Sequence, residues 1–459
     1  MQQIEFNGNQ KVHFIGIGGI SMSGIAQVLL SRGVPVSGSD QKASVLTAQL
    51  EREGAKVFIG QSRDNLMPDV SLVVYTAAIS PDDPELQCAR ERKIPCMTRA
   101  QFLGELMKNY ETAVCIAGTH GKTTTTSMLS QIMLGADTDP TIMVGGILPL
   151  IHGNTRIGAS GTFITEACEY TNSFLSFFPT ISVILNVKED HMDFFKDLAD
   201  IRNSFRKFAM LTRPDGVLVI NGQIEDLSFF TEGLDCRVVT FGMDPSCHYR
   251  AENVAFRPDA CAEFDVIAGE TCCGHVALHV PGEHNICNAL AAIAAAECIG
   301  VPAQTACSLL GEFHGVDRRF QYKGTIGGVT VIDDYAHHPD EIEATLKAAQ
   351  KIPHKKLWVV FQSHTYSRTE VFMDEFAEKL TMADAVVLAE IYPAREKNIH
   401  GISSSQLAQK IRERGTECYY FPTFDEIENF LLQTCESGDV FITMGAGDVV
   451  LIGESILGS

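Results

Sequence analysis

Residues 113–126 read AVCIAGTHGKTTTT, an apolar run that enters a glycine-lysine-threonine turn. A strand that ends in a glycine turn and continues as a helix presents backbone N–H groups and the positive end of the helix dipole to an anion. The common phosphate loop is G-x-x-x-x-G-K-[ST]. Here Gly118 and Gly121 bracket only Thr119 and His120, and Ile116 stands where the longer loop would need glycine. Lys122 would reach the outer phosphates of a nucleotide, and Thr123 would offer its hydroxyl to Mg²⁺. Threonines 123–126 are poor helix formers. Hydroxyls facing metal and phosphate would account for at least Thr123 and Thr124. Gly118, Thr119, His120, Gly121, Lys122, Thr123 and Thr124 therefore form the candidate nucleotide-binding set.

Outward from this turn, three βα-rich blocks follow one pattern, an apolar strand running into a glycine- or histidine-rich turn. The first opens with KVHFIGIGGISMSGIAQVLLSRG (11–33). Val12, Phe14 and Ile15 suit a strand, and Ile20, Met22, Ile25, Ala26, Val28 and Leu29 suit the buried side of a helix closed by Gly33. Further strands are expected at 34–40 and 70–79. The second block runs from the phosphate loop through GTFITEA and TISVILNV to the alanine-rich helix at 284–300. The third follows FHGVDRRFQYKG and holds VTVIDDYAHHP, KKLWVVFQSHTYSRT, ADAVVLAEIY and GDVFITMGAGDVV. Strands alternating with helices predict an α/β fold with parallel, doubly wound sheets.

A chain of 459 residues is long enough for about three domains. Its 45% hydrophobic and 20% charged residues are those of an ordinary globular protein. Lysine and arginine total 36 against 57 acids, a net charge of −21, which argues against a general nucleic-acid binder. A locally basic site for an anionic substrate remains compatible with that balance. The N-terminus shows no charged-then-apolar export signal, and no run of about 18 apolar residues occurs, so a cytoplasmic protein without a membrane span is expected. Fourteen scattered cysteines without a C-x-x-C pair read as reduced thiols.

Several other clusters fall at strand ends, which share one edge of an open parallel sheet. Glu166 ends the strand at 162–165. Asn186, Asp190, His191 and Asp193 sit at and beyond the end of another. Glu166 and His191 could join Thr123 as ligands of Mg²⁺ bridging phosphates, although magnesium prefers oxygen and a histidine ligand is unusual. The turn GIGGISMSG (16–24) fits a dinucleotide fingerprint at Gly16 and Gly18, has Ser21 in the third position, and is followed by Asp40 at the spacing of a ribose-binding acid. The same turn suits the pyrophosphate of any nucleotide, so a dehydrogenase remains a rival reading of this block alone. DDYAHHP (333–339) gathers Asp334, Tyr335, His337 and His338, and FQSHTYSRT (361–369) adds His364 and Arg368. Arginine suits a carboxylate because its planar fork matches one bidentately. His284 and Asn288 lie four apart on a helix start, hence on one face.

AGTHGKTTT, NVKEDHMD, PGEHNICNALAA, GVDRRF and DDYAHHP, in this order, resemble the Mur ligase family over essentially the whole chain. The shortened loop G-x-x-G-K-T is that family's form. The resemblance implies three domains: a Rossmann-like UDP-sugar domain (1–108), a central ATP-binding domain (109–317) and a Rossmann-like amino-acid domain (318–459). It implies a ligase using ATP and Mg²⁺ to join L-alanine to the carboxylate of UDP-N-acetylmuramate through an acyl phosphate, in peptidoglycan precursor synthesis. Gly18, Gly19, Ile20, Ser21, Ser39 and Asp40, with the 75–79 stretch nearby, would then hold the UDP-sugar. His284 and Asn288 would lie near adenine. Asp334 and either Arg318 or Arg319 would serve the nucleotide. Tyr335, His337 and Arg368 would face the amino acid. Lys122, His191, His337 and Arg368 are the expected catalytic set, with His337 or His338 as proton acceptor. Thr365 departs from the family pattern, which carries arginine there. Some members carry a carbamylated lysine in the second block, where Lys207 falls.

Overall fold

Strand Val12–Ile15 is buried at all four residues, so both of its faces are covered, and this is why it reads as an apolar run rather than an alternation. It is the central strand of a five-stranded sheet in the order Lys56–Ile59, Val36–Asp40, Val12–Ile15, Leu72–Tyr75, Cys96–Thr98, every pair parallel. The order reverses on either side of Val12–Ile15, and the glycine turn leaves its carboxyl end at that reversal, where ligands bind in open α/β sheets. Of the expected strand at 70–79, Leu72–Tyr75 is strand. Helix Ile20–Ser31 buries Met22, Ile25, Ala26, Val28 and Leu29. Ile20 is instead 46% exposed, because it opens the helix beside the turn rather than lying on the sheet face. Gly33 follows the helix with φ +74°, as its stop signal required.

The computed structural model describes residues 10–76, 79–192, 194–394 and 396–458. Ala77, Ala78 and Asp193, which the sequence placed near ligands, lie outside the described residues. The chain divides into two compact units, one of Met1–Lys188, Leu198–Cys247 and Ala291–Ala306, the other of Glu189–Asp197, His248–Leu290 and Cys307–Ser459.

The first unit also carries seven strands in the order Arg237–Gly242, Val217–Asn221, Ile181–Ile184, Thr112–Ala117, Thr162–Glu166, Thr141–Leu148, Gly153–Arg156. All pairs are parallel except the last. Thr112–Ala117 is central and feeds helix Lys122–Gly135 through the phosphate loop. Its neighbours end at Glu166 and just before Asn186, so the expected convergence on one edge is realised.

In the second unit, strands Tyr249–Phe256, Cys261–Ala268 and Thr271–Pro281 form an antiparallel meander. The sequence reading assigned no strands there, having followed βα alternation. The signal was an alternating burial pattern in CAEFDVIA and a turn at Gly269, φ +60°. The remaining sheet has the order Gln321–Ile326, Val329–Asp334, Val440–Met444, Leu357–Phe361, Ala385–Leu388, Glu417–Tyr420, parallel apart from the first pair. Leu357–Phe361 and Val440–Met444 are buried throughout. Trp358 and Phe361 are each 1% exposed, and burial of such side chains stabilises the unit by about 1.5–3 kcal/mol apiece. Among the described residues every cysteine is free, and no helix is long and apolar enough to cross a membrane.

Candidate functional site

The phosphate loop is braced from the neighbouring strand. The Asn186 side chain accepts from the His120 N–H at 2.9 Å and donates to the His120 carbonyl at 3.0 Å. The Thr119 hydroxyl accepts from the Lys188 N–H at 2.9 Å. Gly118 holds φ +154°, and a Cβ there would come 2.8 Å from the Leu185 Cβ and 3.4 Å from the Asn186 nitrogen. Gly121, φ +86°, is the left-handed residue from which helix Lys122–Gly135 starts without a side-chain cap. Both glycines are thus demanded by the backbone path. The run of threonines divides as its first half suggested. Thr123 and Thr124 are partly exposed in the first turn, whereas Thr125 and Thr126 are buried and Thr126 bonds back to the Lys122 carbonyl at 2.8 Å.

Lys122 folds over its own loop. Its ammonium donates to the Gly118 and Thr119 carbonyls at 2.5 and 3.1 Å and to the Glu169 carboxylate at 2.9 and 3.1 Å. Glu169 is 2% exposed. Burial alone would push the Lys122 ammonium down, but Glu169, then Cys168 and Glu166, outweigh it and the group sits well above its ordinary value. The cation is therefore fixed, and a carboxylate of the chain already occupies an anion position beside it. Sequence reasoning missed Glu169; the signal was a second acid three residues past Glu166. Glu166 itself accepts from the Gly145 N–H at 2.6 Å, and a Cβ on Gly145 would meet its carboxylate at 2.9–3.2 Å.

The first glycine turn is closed in a similar way. The Ser39 carbonyl accepts from the Gly16 and Ile17 N–H groups at 2.8 and 2.9 Å. Asp40 accepts from the Gly18 N–H at 2.8 Å. Ser39 also donates to Glu85 at 2.7 Å, inside a buried network with His13 and Asn65. Those bonds hold the Glu85 carboxyl below its usual range, against the burial that would raise it. Gly19 is exposed and is an N-cap without a side-chain bond, so the first turn of helix Ile20–Ser31 presents unsatisfied N–H groups. Ser21 receives a hydrogen bond from Arg99 at 3.0 Å.

In the second unit the strand ends gather the expected residues. Arg368, in helix Tyr366–Val371, donates to the Asp190 carboxylate at 3.3 Å. Burial would raise Asp190, but His191, Arg368 and His338 together hold it low, so it stays ionised. His191 sits at φ +53°, and its N–H donates to the Asp190 side chain at 2.6 Å. His337 Nδ1 lies 3.0 Å from the Tyr335 carbonyl, which fixes the tautomer that donates from Nδ1. Burial lowers its pKa to about 4, so the ring is neutral near pH 7. His338 is used differently, since its Nδ1 accepts from the Asp340 N–H at 3.3 Å as the cap of helix Pro339–Ala349. His364 is lowered as well, by burial and then by Arg368.

The two hinge arginines separate. Arg318, φ +62°, donates to Asp333 at 3.0 Å and to the Gly447 and Gly445 carbonyls at 3.0 and 2.7 Å. Its fork is committed to structure, contrary to an expected nucleotide contact. Among the described residues Arg319 makes a long ion pair to Glu341 at 3.9 Å and lies 5.2 Å over the Tyr335 ring. Asp334 accepts from the Phe320 and Ala336 N–H groups at 2.8 and 2.7 Å, and burial raises its pKa to about 6. It shapes the turn rather than presenting free oxygens. Asn288 is buried and donates to Asn285 at 2.9 Å, whereas His284 is exposed. Thr365, at φ +67°, accepts from the Arg368 N–H at 3.4 Å and so caps the helix that carries Arg368. Lys207 is exposed in the last turn of helix Leu198–Ala209.

The residues present in the first unit fit a magnesium nucleotide. They offer two glycines whose conformation a side chain would block, a fixed cation, and hard oxygen donors on Thr123 and Glu166. His191 belongs to the other unit.

Three family descriptions match successive parts of the chain: Mur ligase family, catalytic domain, over 11–111; Mur ligase middle domain over 116–296; and Mur ligase, glutamate ligase domain, over 318–447. The chain is 53% identical over 457 residues to the UDP-N-acetylmuramate–L-alanine ligase of Agathobacter rectalis, covering 100% of both. It resembles the crystal structure of the UDP-N-acetylmuramate–alanine ligase of Thermotoga maritima with a TM-score of 0.81 and 30% identity, covering 98% of each chain. A murein peptide ligase of Psychrobacter arcticus gives a TM-score of 0.72 and 25% identity over 98% of each chain. Three successive matched segments, with the short phosphate loop at the head of the middle one, and a relative 53% identical over the full length place this chain in the Mur ligase family.

Proposed function

We propose that this chain is an ATP-dependent ligase that joins L-alanine to the carboxylate of UDP-N-acetylmuramate, releasing ADP and phosphate. The observation that carries the reading is Lys122, held over its G-x-x-G-K-T loop by buried Glu169, on a chain matched along its whole length by a relative bearing that activity's name. The reading carries three domains, 1–108, 109–317 and 318–459, and a cytoplasmic location suits the nucleotide substrates.

A carboxylate is a poor electrophile, and phosphorylation turns its oxygen into a leaving group. The obstacle is electrostatic, since two like charges 4 Å apart repel by about 4 kcal/mol at an effective dielectric near 20. Lys122 meets that obstacle by giving up Glu169 for phosphate oxygens, while the N–H groups from Gly118 to Thr124 cradle them. Thr123, Glu166 and His191 would hold Mg²⁺, which neutralises phosphate charge. His284 and Asn288 receive adenine. Arg319 takes the role of phosphate-directed arginine. Gly18, Gly19, Ile20, Ser21, Ser39 and Asp40 hold the UDP-sugar. Arg368 receives the carboxylate of alanine, beside Tyr335. His337, kept neutral by burial, holds its Nε2 lone pair for the proton of the attacking amine. Thr365 leaves the carboxylate with one arginine from this segment.

The test is ADP release with ATP, magnesium and UDP-N-acetylmuramate, adding L-alanine, glycine, L-serine, D-glutamate or a murein tripeptide in turn. Release that requires both the UDP-sugar and L-alanine is expected. Release with the tripeptide alone, or with no acceptor at all, would refute the assignment.

A further inference from the structure

Arg99 is the first residue of helix Arg99–Met107, whose start is fixed by a capping box between Thr98 and Gln101. A cation there opposes the helix dipole, which favours anions at an N-terminus. Burial lowers the pKa of its guanidinium. Among the described residues its side chain makes one hydrogen bond, to the Ser21 hydroxyl at 3.0 Å, and no ion pair. Lys122, in the same unit, is by contrast paired with Glu169. An unpaired, partly desolvated guanidinium is destabilising unless an anion arrives to join it.

Its surroundings say which anion. Beside it stands Ser21, in the first turn of a twelve-residue helix that begins at exposed Gly19 with no side-chain cap. The guanidinium thus stands at the glycine turn, in the compact unit that also carries the phosphate-loop lysine.

We propose that Arg99 is a substrate-binding residue, taking an oxyanion of the UDP-sugar acid at the glycine turn. This rests on the ligase reading above, in which a substrate held by its diphosphate at the turn must present a carboxylate toward Lys122. Two groups of that substrate share the required chemistry, the diphosphate and the carboxylate.

Calorimetric titration of the full chain with UDP-N-acetylmuramate, UDP-N-acetylglucosamine (which lacks the carboxylate) and ATP separates the outcomes. Arg99→Gln is expected to weaken UDP-N-acetylmuramate by about tenfold or more, as loss of a charge-assisted hydrogen bond does, and to leave ATP unchanged. An equal loss for UDP-N-acetylglucosamine assigns the diphosphate, and a loss confined to UDP-N-acetylmuramate assigns the carboxylate. Affinity within twofold of wild type in Arg99→Gln would overturn direct binding. Should that variant also lose ATP binding, Arg99→Lys decides, with at least threefold weaker UDP-N-acetylmuramate expected and unchanged affinity refuting. Wild-type protein that fails to bind UDP-N-acetylmuramate would instead sink the ligase reading.

Discussion

Glu169→Gln tests whether the phosphate loop is held ready by a carboxylate that nucleotide displaces. Lys122 and Glu169 meet at 2.9 Å with the acid 2% exposed, a separation at which opposite unit charges attract by about 6 kcal/mol at an effective dielectric near 20. Removing one member of a buried pair typically destabilises by about 3–5 kcal/mol, because the partner's charge remains desolvated. In a unit of this size that is a fall on the order of 10 °C in the melting midpoint of the unliganded protein. A non-hydrolysable ATP analogue supplies new anionic oxygens to Lys122, so the gap to wild type should shrink to less than half at saturation. Thermal melts of both proteins with and without the analogue, in chelator so that metal binding does not intervene, measure the two gaps. Equal gaps in the two conditions would refute the exchange and leave Glu169 as a structural partner only.

The remaining expectations concern the hinge, the metal and the histidine turn. Arg319→Ala should fold normally and lower kcat by about a hundredfold or more, as loss of a phosphate-directed donor does, while Arg318→Ala should destabilise by about 3 kcal/mol by leaving Asp333 buried without its partner; the reverse pattern in melts and steady-state rates would exchange their roles. His191→Ala should raise the magnesium concentration needed for half-maximal ADP release, and an unchanged magnesium titration removes His191 from the metal site. For His337 the folded pKa of about 4 lies below the unfolded value near 6.5. Its contribution is intact above 6.5 and falls as acid protonates the unfolded chain first, by up to about 3 kcal/mol at pH 4. Asp334, raised to about 6, has the opposite sign and loses stability as pH rises from about 4 to 6. Denaturant midpoints of His337→Gln from pH 4 to 7 should therefore decline with rising pH up to 6, and a midpoint that still climbs would show that His337 is not the group responsible.

Much of the fold could be read from local pattern because the causes are local. Gly118, Gly121 and Gly33 sit where φ must be positive, and their spacing from the flanking apolar runs marks the ends of a strand and the starts and stops of helices. Apolar runs such as LWVVF and VFITM are strands buried on both faces, which only parallel sheets covered by helices produce. The meander at 249–281 escaped because its alternation was judged against the βα rhythm of its neighbours. Within the sites, residue type and position at a strand end carried Lys122, Glu166, His337 and Arg368. Partnership was decided only by the tertiary structure. Lys122 finds Glu169 across 47 positions, and Arg368 finds Asp190 across 178. Arg318 and Arg319 are adjacent and identical in type, yet a left-handed backbone at the first turns its fork onto Asp333 and two carbonyls while its neighbour keeps donors to give. Sequence sets which groups can be charged and which turns can form; burial and long-range approach determine which charge meets which, because Coulomb energy depends on distance and desolvation and neither is written in spacing along the chain.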